Sequence, residues 1–170
     1  HDANYERINL ELLQTALVLA GVSHSRFYYG TDERNEKQAK FFTKIASFGF
    51  AVITKPVQYF RILFADLLKR PVNLRWLESV SPQTRAHLEE EFAQLDQSGI
   101  VIHQPKANFD VEIATDALRL AHDFDTFVLF SGDGDFVPLV NELRSKGKQV
   151  IVVAGKKFLS SNLAQSATRH

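Results

Sequence analysis

The stretch that decides the fold runs Thr126-Phe127-Val128-Leu129-Phe130-Ser131-Gly132-Asp133-Gly134-Asp135. Its first half is an unbroken run of β-forming residues, as expected of a strand buried on both faces. Its second half is an acidic turn containing two glycines. Directly after it, Phe136, Leu139, Val140 and Leu143 recur at the spacing of one helix face. Residues 149–154 form a second apolar strand, Gly155 closes it, and a last short helix is expected from about residue 160 to 167.

Working upstream, the helix before this unit opens at Asn108 or Asp110 and carries Ile113, Ala114, Ala117, Leu118 and Ala121. At the other end of the chain, Ile8, Leu12, Leu13, Ala16, Leu19 and Ala20 place an amphipathic helix over residues 6–20, stopped by Gly21. A strand is expected at 24–29, a helix at 33–48 ending on Gly49, and a strand at 50–54 closed by Lys55-Pro56. Residues 57–105 break this rhythm. Positions 57–69 read as helix, Pro71 interrupts, and Ser81-Pro82 is an N-cap followed by proline at the first helical position of a charged helix over 82–97. Alternating short strands and amphipathic helices argue for a single α/β domain over residues 1–170. A three-layer sandwich with a mainly parallel central sheet flanked by helices is expected, with 57–105 as a helical insertion or lid.

Composition bounds the rest. A chain of 170 residues, 45% hydrophobic and 24% charged, supports a sizeable core, and disordered or low-complexity classes are excluded. Without cysteine there is no disulfide scaffold, thiol catalysis or thiolate zinc site. The longest apolar stretch, residues 15–22, is far short of the roughly 20 residues of a membrane helix, and no signal peptide is visible, so a soluble cytoplasmic protein is expected. The formal net charge is +0, whereas proteins that grip nucleic acid through many phosphates are usually basic.

Ligands of open parallel sheets bind at the carboxyl ends of the strands, and residues 131–135 occupy such an end. Asp133 and Asp135 can converge on one point, with Gly132 and Gly134 expected to supply the backbone conformations required. Grouped carboxylates repel unless a cation neutralises them, and hard oxygen donors suit Mg²⁺ or Mn²⁺. The simpler reading is helix capping, which suits Asp135 better than Asp133. A haloacid-dehalogenase nucleophile loop is rejected because Glu142 is the sole acid after Asp135, and an EF-hand fails because its later ligand positions are missing.

Three stretches carry a closer resemblance. They are residues 106–118 (Lys106-Ala107-Asn108-Phe109-Asp110-Val111-Glu112-Ile113-Ala114-Thr115-Asp116-Ala117-Leu118), residues 127–140 from Phe127 through Ser131-Gly132-Asp133-Gly134-Asp135-Phe136-Val137-Pro138 to Val140, and Leu143-Arg144-Ser145-Lys146-Gly147-Lys148-Gln149-Val150. Together they resemble an NYN domain of the LabA-like branch, within the PIN-like nuclease superfamily. The dense match covers about residues 103–155, and the looser order of elements over 6–54 also fits.

The resemblance implies a Mg²⁺- or Mn²⁺-dependent ribonuclease, with Asp133, Asp135 and Asp110 as metal ligands and metal-assisted hydrolysis of RNA phosphodiester bonds. It also implies a place for Asp116 in the catalytic set. Six residues along a helix turn through about 240°, however, so Asp116 cannot share a face with Asp110 and is expected to hold the acidic loop or nearby backbone. The family's first strand ends in Asp-x-x-Asn. Here the chain opens His1-Asp2-Ala3-Asn4, one residue short of that spacing, so Asp2 and Asn4 are the candidates, and the first strand is expected upstream of residue 1 unless a residue has been dropped. The Asp-x-Phe common near the family's C-terminal end is absent, with Thr168 in that neighbourhood. The alternative, from another class, is a catalytically inactive RNA-binding or protein-interaction module of the same fold.

For substrate binding, Arg144, Lys146, Lys148, Lys156, Lys157 and Arg169 all follow Leu143, with no Asp or Glu among them. That local basic surface suits contact with RNA phosphates. Lys156 and Lys157 are the leading candidates, Lys106 is next, and Ser131 is placed to donate to a phosphate or to cap. Phe27, Tyr28 and Tyr29 read as core rather than base-stacking residues. Trp76, Tyr59 and Phe60 suit a lid or a homodimer contact. The six histidines show no metal-ligand spacing.

Overall fold

A computed structural model describes residues 8–32, 35, 37–69 and 77–170, and its contacts divide the chain into two units, His1–Ala107 and Asn108–His170. In the first unit, Asn9 opens helix α1 (Leu10–Leu19) by accepting the amides of Glu11 and Leu12. Strand β1 (Arg26–Thr31), helix α2 (Lys37–Ser47) and strand β2 (Ala51–Pro56) follow, and β1 pairs with β2 in parallel from Arg26↔Ala51 to Thr31↔Pro56. Phe27 packs against Phe41 and Phe50 with centroids 6.0 and 6.1 Å away, and Tyr29 lies 5.6 Å from Phe42. The β1 aromatics therefore join strand to helix. Gly49, at φ +102°, ends the α2 turn, and its carbonyl accepts from the buried Gln14 side chain at 3.5 Å.

The segment after Pro56 differs from the helix expected there. It is a strand, β3 (Gln58–Ile62), then a short helix, α3 (Phe64–Leu68). After α4 (Pro82–Gln97) comes β4 (Ile102–Lys106), which the sequence reading does not contain. The two strands pair antiparallel from Gln58↔Lys106 to Ile62↔Ile102, and this pairing between distant segments overrides the local helical spacing. Ser81 caps α4 by accepting from Thr84, with Pro82 in its first turn, as expected. The start of α3 is capped from afar, since the Asp96 carboxylate accepts from Phe64 and Ala65 at 2.7 and 3.0 Å.

The second unit positions the site. Asn108 accepts the Asp110 amide at 2.8 Å and opens α5 (Asp110–Arg119). Strand β5 (Thr126–Leu129), a 3-10 turn (Gly134–Phe136), α6 (Val137–Ser145), β6 (Gln149–Val152) and α7 (Ser161–Ser166) complete it. Strands β5 and β6 run parallel, Thr126↔Gln149 to Leu129↔Val152. The core joins Leu129, Phe136, Val140, Leu143, Val150, Val152 and Leu163. The expected burial of β5 on both faces is not found: Leu129 is its one buried residue, and Phe127 and Val128 are half-buried. Thr126, paired with Gln149 at the start of the ladder, is exposed, and beyond the ladder's end at Leu129, Phe130 is 46% exposed. Residues 168–169 join the β6 side: the Val150 amide donates to Thr168 Oγ1 at 3.0 Å and that of Val152 to the Arg169 carbonyl at 2.9 Å.

The architecture is thus mixed α/β, with two parallel strand pairs, one antiparallel pair and helices. Among the described residues, the strands form three two-stranded sheets rather than one continuous sheet. No helix among the described residues is long and apolar enough to cross a membrane.

Candidate metal centre

Three carboxylates meet in the second unit, and each is held by the backbone around it. Asp110 is the first residue of α5, while Asp133 and Asp135 belong to the turn after β5. One oxygen from each of the three lies within 4.8 Å of the others, with Asp110 half-buried and the other two exposed. Ser131 Oγ accepts the Asp133 amide at 3.2 Å, and Asp133 Oδ1 accepts the Asp135 amide at 3.0 Å. Phe136, 4% exposed, anchors the 3-10 turn in the core.

Capping falls to Asp133, not to Asp135 as the simpler sequence reading has it. Asp133 is extended and accepts a hydrogen bond from within the turn, whereas Asp135 sits inside the first turn, where its carboxylate faces outward. The glycines also work differently from expectation. Neither Gly132 nor Gly134 has a positive φ. They are needed for close approach: a Cβ at Gly132 would stand 2.1 Å from the Phe158 carbonyl oxygen, and one at Gly134 would stand 2.9 Å from Ser160 Oγ. The Ser160 amide donates to the Gly132 carbonyl at 2.9 Å and ties the two loops together.

Among the described residues, no lysine or arginine pairs with Asp110, Asp133 or Asp135. Two like charges at about 4 Å repel by about 1 kcal/mol even in water, so the fold holds this group against its own charge. The donor set suits a hard divalent cation. Carboxylate oxygens are the ligands Mg²⁺ and Mn²⁺ take, and at about 2.1 Å from such an ion two opposite ligands stand about 4.2 Å apart. A group spanning at most 4.8 Å reaches that spacing through small side-chain rotations.

Asp116 stands apart from this group, accepting from Arg119 at 2.7 Å on the same helix. Asp2, Asn4 and Trp76 lie outside the described residues. Lys106 is exposed at the end of β4, in the first unit. In the basic C-terminal region, Arg144 donates to the Ser166 carbonyl, Lys146 pairs with Glu142, and Lys148 lies 3.9 Å from Asp125 and 5.9 Å from the Phe124 ring centroid. Lys156 and Lys157 are exposed with no partner among the described residues. They follow β6 in the loop that packs on Gly132. No local sequence signal marks that packing, because it joins Gly132 to Phe158 far along the chain.

Three comparisons bear on this geometry. The model of the NYN domain family matches residues 2–170. The low amplitude and bright protein LabA of Synechococcus elongatus is 32% identical over 94 residues, 55% of this chain and 50% of that protein. The chain thus spans half the length of this curated relative. A crystal structure of a protein of unknown function from Vibrio parahaemolyticus superposes with a TM-score of 0.61 at 22% identity, over 98% of this chain and 79% of that one. That likeness extends to the fold alone.

Proposed function

Because the chain belongs to the NYN domain family, a PIN-like nuclease family, we propose that it is a divalent-metal-dependent endoribonuclease whose site is Asp110, Asp133 and Asp135. The observation that carries this reading is the meeting of three carboxylates, without a basic partner among the described residues, at the carboxyl end of a parallel strand. These three side chains would hold Mg²⁺ or Mn²⁺. Such an ion, when bound, supplies Lewis acidity toward a phosphoryl oxygen and lowers the pKa of water.

The chain's own residues do the remaining work. Asp133 Oδ1 accepts the Asp135 amide through one lone pair, and the carboxylate's remaining lone pairs are available to a cation. Ser131 accepts from the Asp133 amide, so its hydroxyl proton is available to a phosphate oxygen. Lys156 and Lys157 offer positive charge to the RNA backbone beside the acidic turn. Asp116, Asp2 and Asn4 belong to the proposed catalytic set outside the cation site, with Lys106 a further phosphate contact. In this reading residues 1–170 are one NYN domain, a three-layer sandwich with a mainly parallel sheet, working in the cytoplasm on RNA, with homodimerisation through the β3 segment that carries the exposed Tyr59 and Phe60.

The test is incubation of single-stranded and structured RNA with the chain, with Mg²⁺ or Mn²⁺ against EDTA. Cleavage that needs the ion and disappears in Asp133→Asn is expected. Absence of ion-dependent cleavage on every RNA contradicts the enzyme and leaves the inactive RNA-binding or protein-interaction module.

A further inference from the structure

The loop after β6 presents an aromatic ring as well as two lysines. It is pinned at both ends, because the Phe158 amide donates to the Gly155 carbonyl at 2.8 Å and the Ser160 amide to the Gly132 carbonyl at 2.9 Å. Leu159 packs against the core of the second unit, and its neighbour Phe158 is left 69% exposed. One edge of that ring rests on Gly155, where a Cβ would stand 3.2 Å from Cδ2. One exposed apolar side chain is ordinary on a protein surface, so the ring's place in a fixed loop matters only together with what lies beside it.

Lys156 and Lys157 immediately precede Phe158, both exposed and with no partner among the described residues. The loop backbone touches Gly132, the residue before Asp133 of the carboxylate group. An open aromatic face flanked by cations is the combination that takes a base on the ring and its phosphates on the lysines. A base inside a duplex is stacked on its neighbours and offers no free face, so such a ring discriminates for unpaired nucleotides.

We infer that Phe158 is a stacking platform for an unpaired nucleobase of single-stranded RNA, with Lys156 and Lys157 holding the adjacent phosphates. This rests on the RNA reading above and names its substrate class. The lysines favour a polyanion over a protein partner for this face, since neither pairs with an acid among the described residues although the carboxylate group follows Gly132 directly.

The experiment is anisotropy with a labelled single-stranded RNA and the duplex of the same sequence, in EDTA so that no cleavage intervenes. It compares wild type, Phe158→Ala and Phe158→Trp, each checked for an unchanged melting temperature. Wild type is expected to bind the single strand more tightly than the duplex. Phe158→Ala should weaken single-strand binding by about 5- to 150-fold and leave duplex binding unchanged. Phe158→Trp should retain binding, and its added indole emission should be quenched by the single strand. Equal binding by wild type and Phe158→Ala, equal loss on both RNAs, or no single-strand binding by wild type overturns the inference. A protein-docking surface would give the first or last of these results. Intact, ring-dependent binding in a chain that never cleaves RNA would sink the nuclease reading and leave this one standing.

Discussion

Asp133 Oδ1 accepts the backbone amide of Asp135 at 3.0 Å, so one carboxylate of the candidate site holds the turn that presents the other. Charge and cap can therefore be separated by substitution. Asp133→Asn keeps a side-chain oxygen for the cap and removes a charge from a repelling group. Asp133→Ala removes both and should cost about 0.5–2 kcal/mol. Denaturant unfolding should place Asp133→Asn near wild type and Asp133→Ala clearly below it. Equal destabilisation of the two variants would mean the cap contributes nothing.

Gly132 faces backbone, and Gly134 faces the end of a serine side chain. With a Cβ placed 2.1 Å from the Phe158 carbonyl oxygen, Gly132→Ala must push the two loops apart, at about 1–3 kcal/mol or more. Gly134→Ala meets Ser160 Oγ at 2.9 Å, which can rotate away, so its cost should be smaller. A thermal melt that ranks Gly134→Ala as the worse of the pair would contradict this packing.

Asp96 supplies the cap that α3 lacks in its own sequence. Leu63, at the N-cap position, makes no side-chain hydrogen bond, while Asp96 accepts from Phe64 and Ala65. Asp96→Ala should destabilise the first unit by about 0.5–2 kcal/mol, read as a lower denaturation midpoint. An unchanged midpoint would show that water serves these amides equally well.

Lys156 and Lys157 contribute charge rather than shape to the proposed RNA contact. For single strands the slope of log K against log salt is about 0.7 per phosphate neutralised, so the double alanine variant should lower it by about 1.4. Affinity should fall by a similar factor for every RNA sequence. An unchanged salt slope would remove both residues from the interface. The overall charge of +0 sets the background, so wild-type affinity itself should be modest at physiological salt.

Legibility in the sequence followed the range of the forces involved. The turn at residues 131–135 and the helix after it are readable because an apolar strand, two aspartates alternating with glycine and a helical face are all local. Ser81-Pro82 announced α4 for the same reason. Strand β3 was not readable, because Val57, Phe60 and Ile62 also suit a helix and only pairing with β4 decides between them. Pro105 concealed β4 in turn, since proline argues against a strand except at an edge. In the site, the acidic turn after an apolar strand points to Asp133 and Asp135 and the family resemblance to Asp110, but their convergence within 4.8 Å depends on packing of the 3-10 turn through Phe136. Helix geometry alone sets Asp116 about 240° around the axis from Asp110. The purpose of Gly132 depended on Phe158, 26 residues away in the chain, and no local pattern encodes that contact.

The central claim is that Asp110, Asp133 and Asp135 form one cation site, and titration of the wild-type chain with Mn²⁺, followed by calorimetry or electron paramagnetic resonance, tests it most directly. The account predicts one ion per chain in a saturable site, weakened by each of Asp110→Asn, Asp133→Asn and Asp135→Asn, and unchanged by Asp116→Asn. Absence of saturable Mn²⁺ binding, or binding that survives all three substitutions, would contradict it.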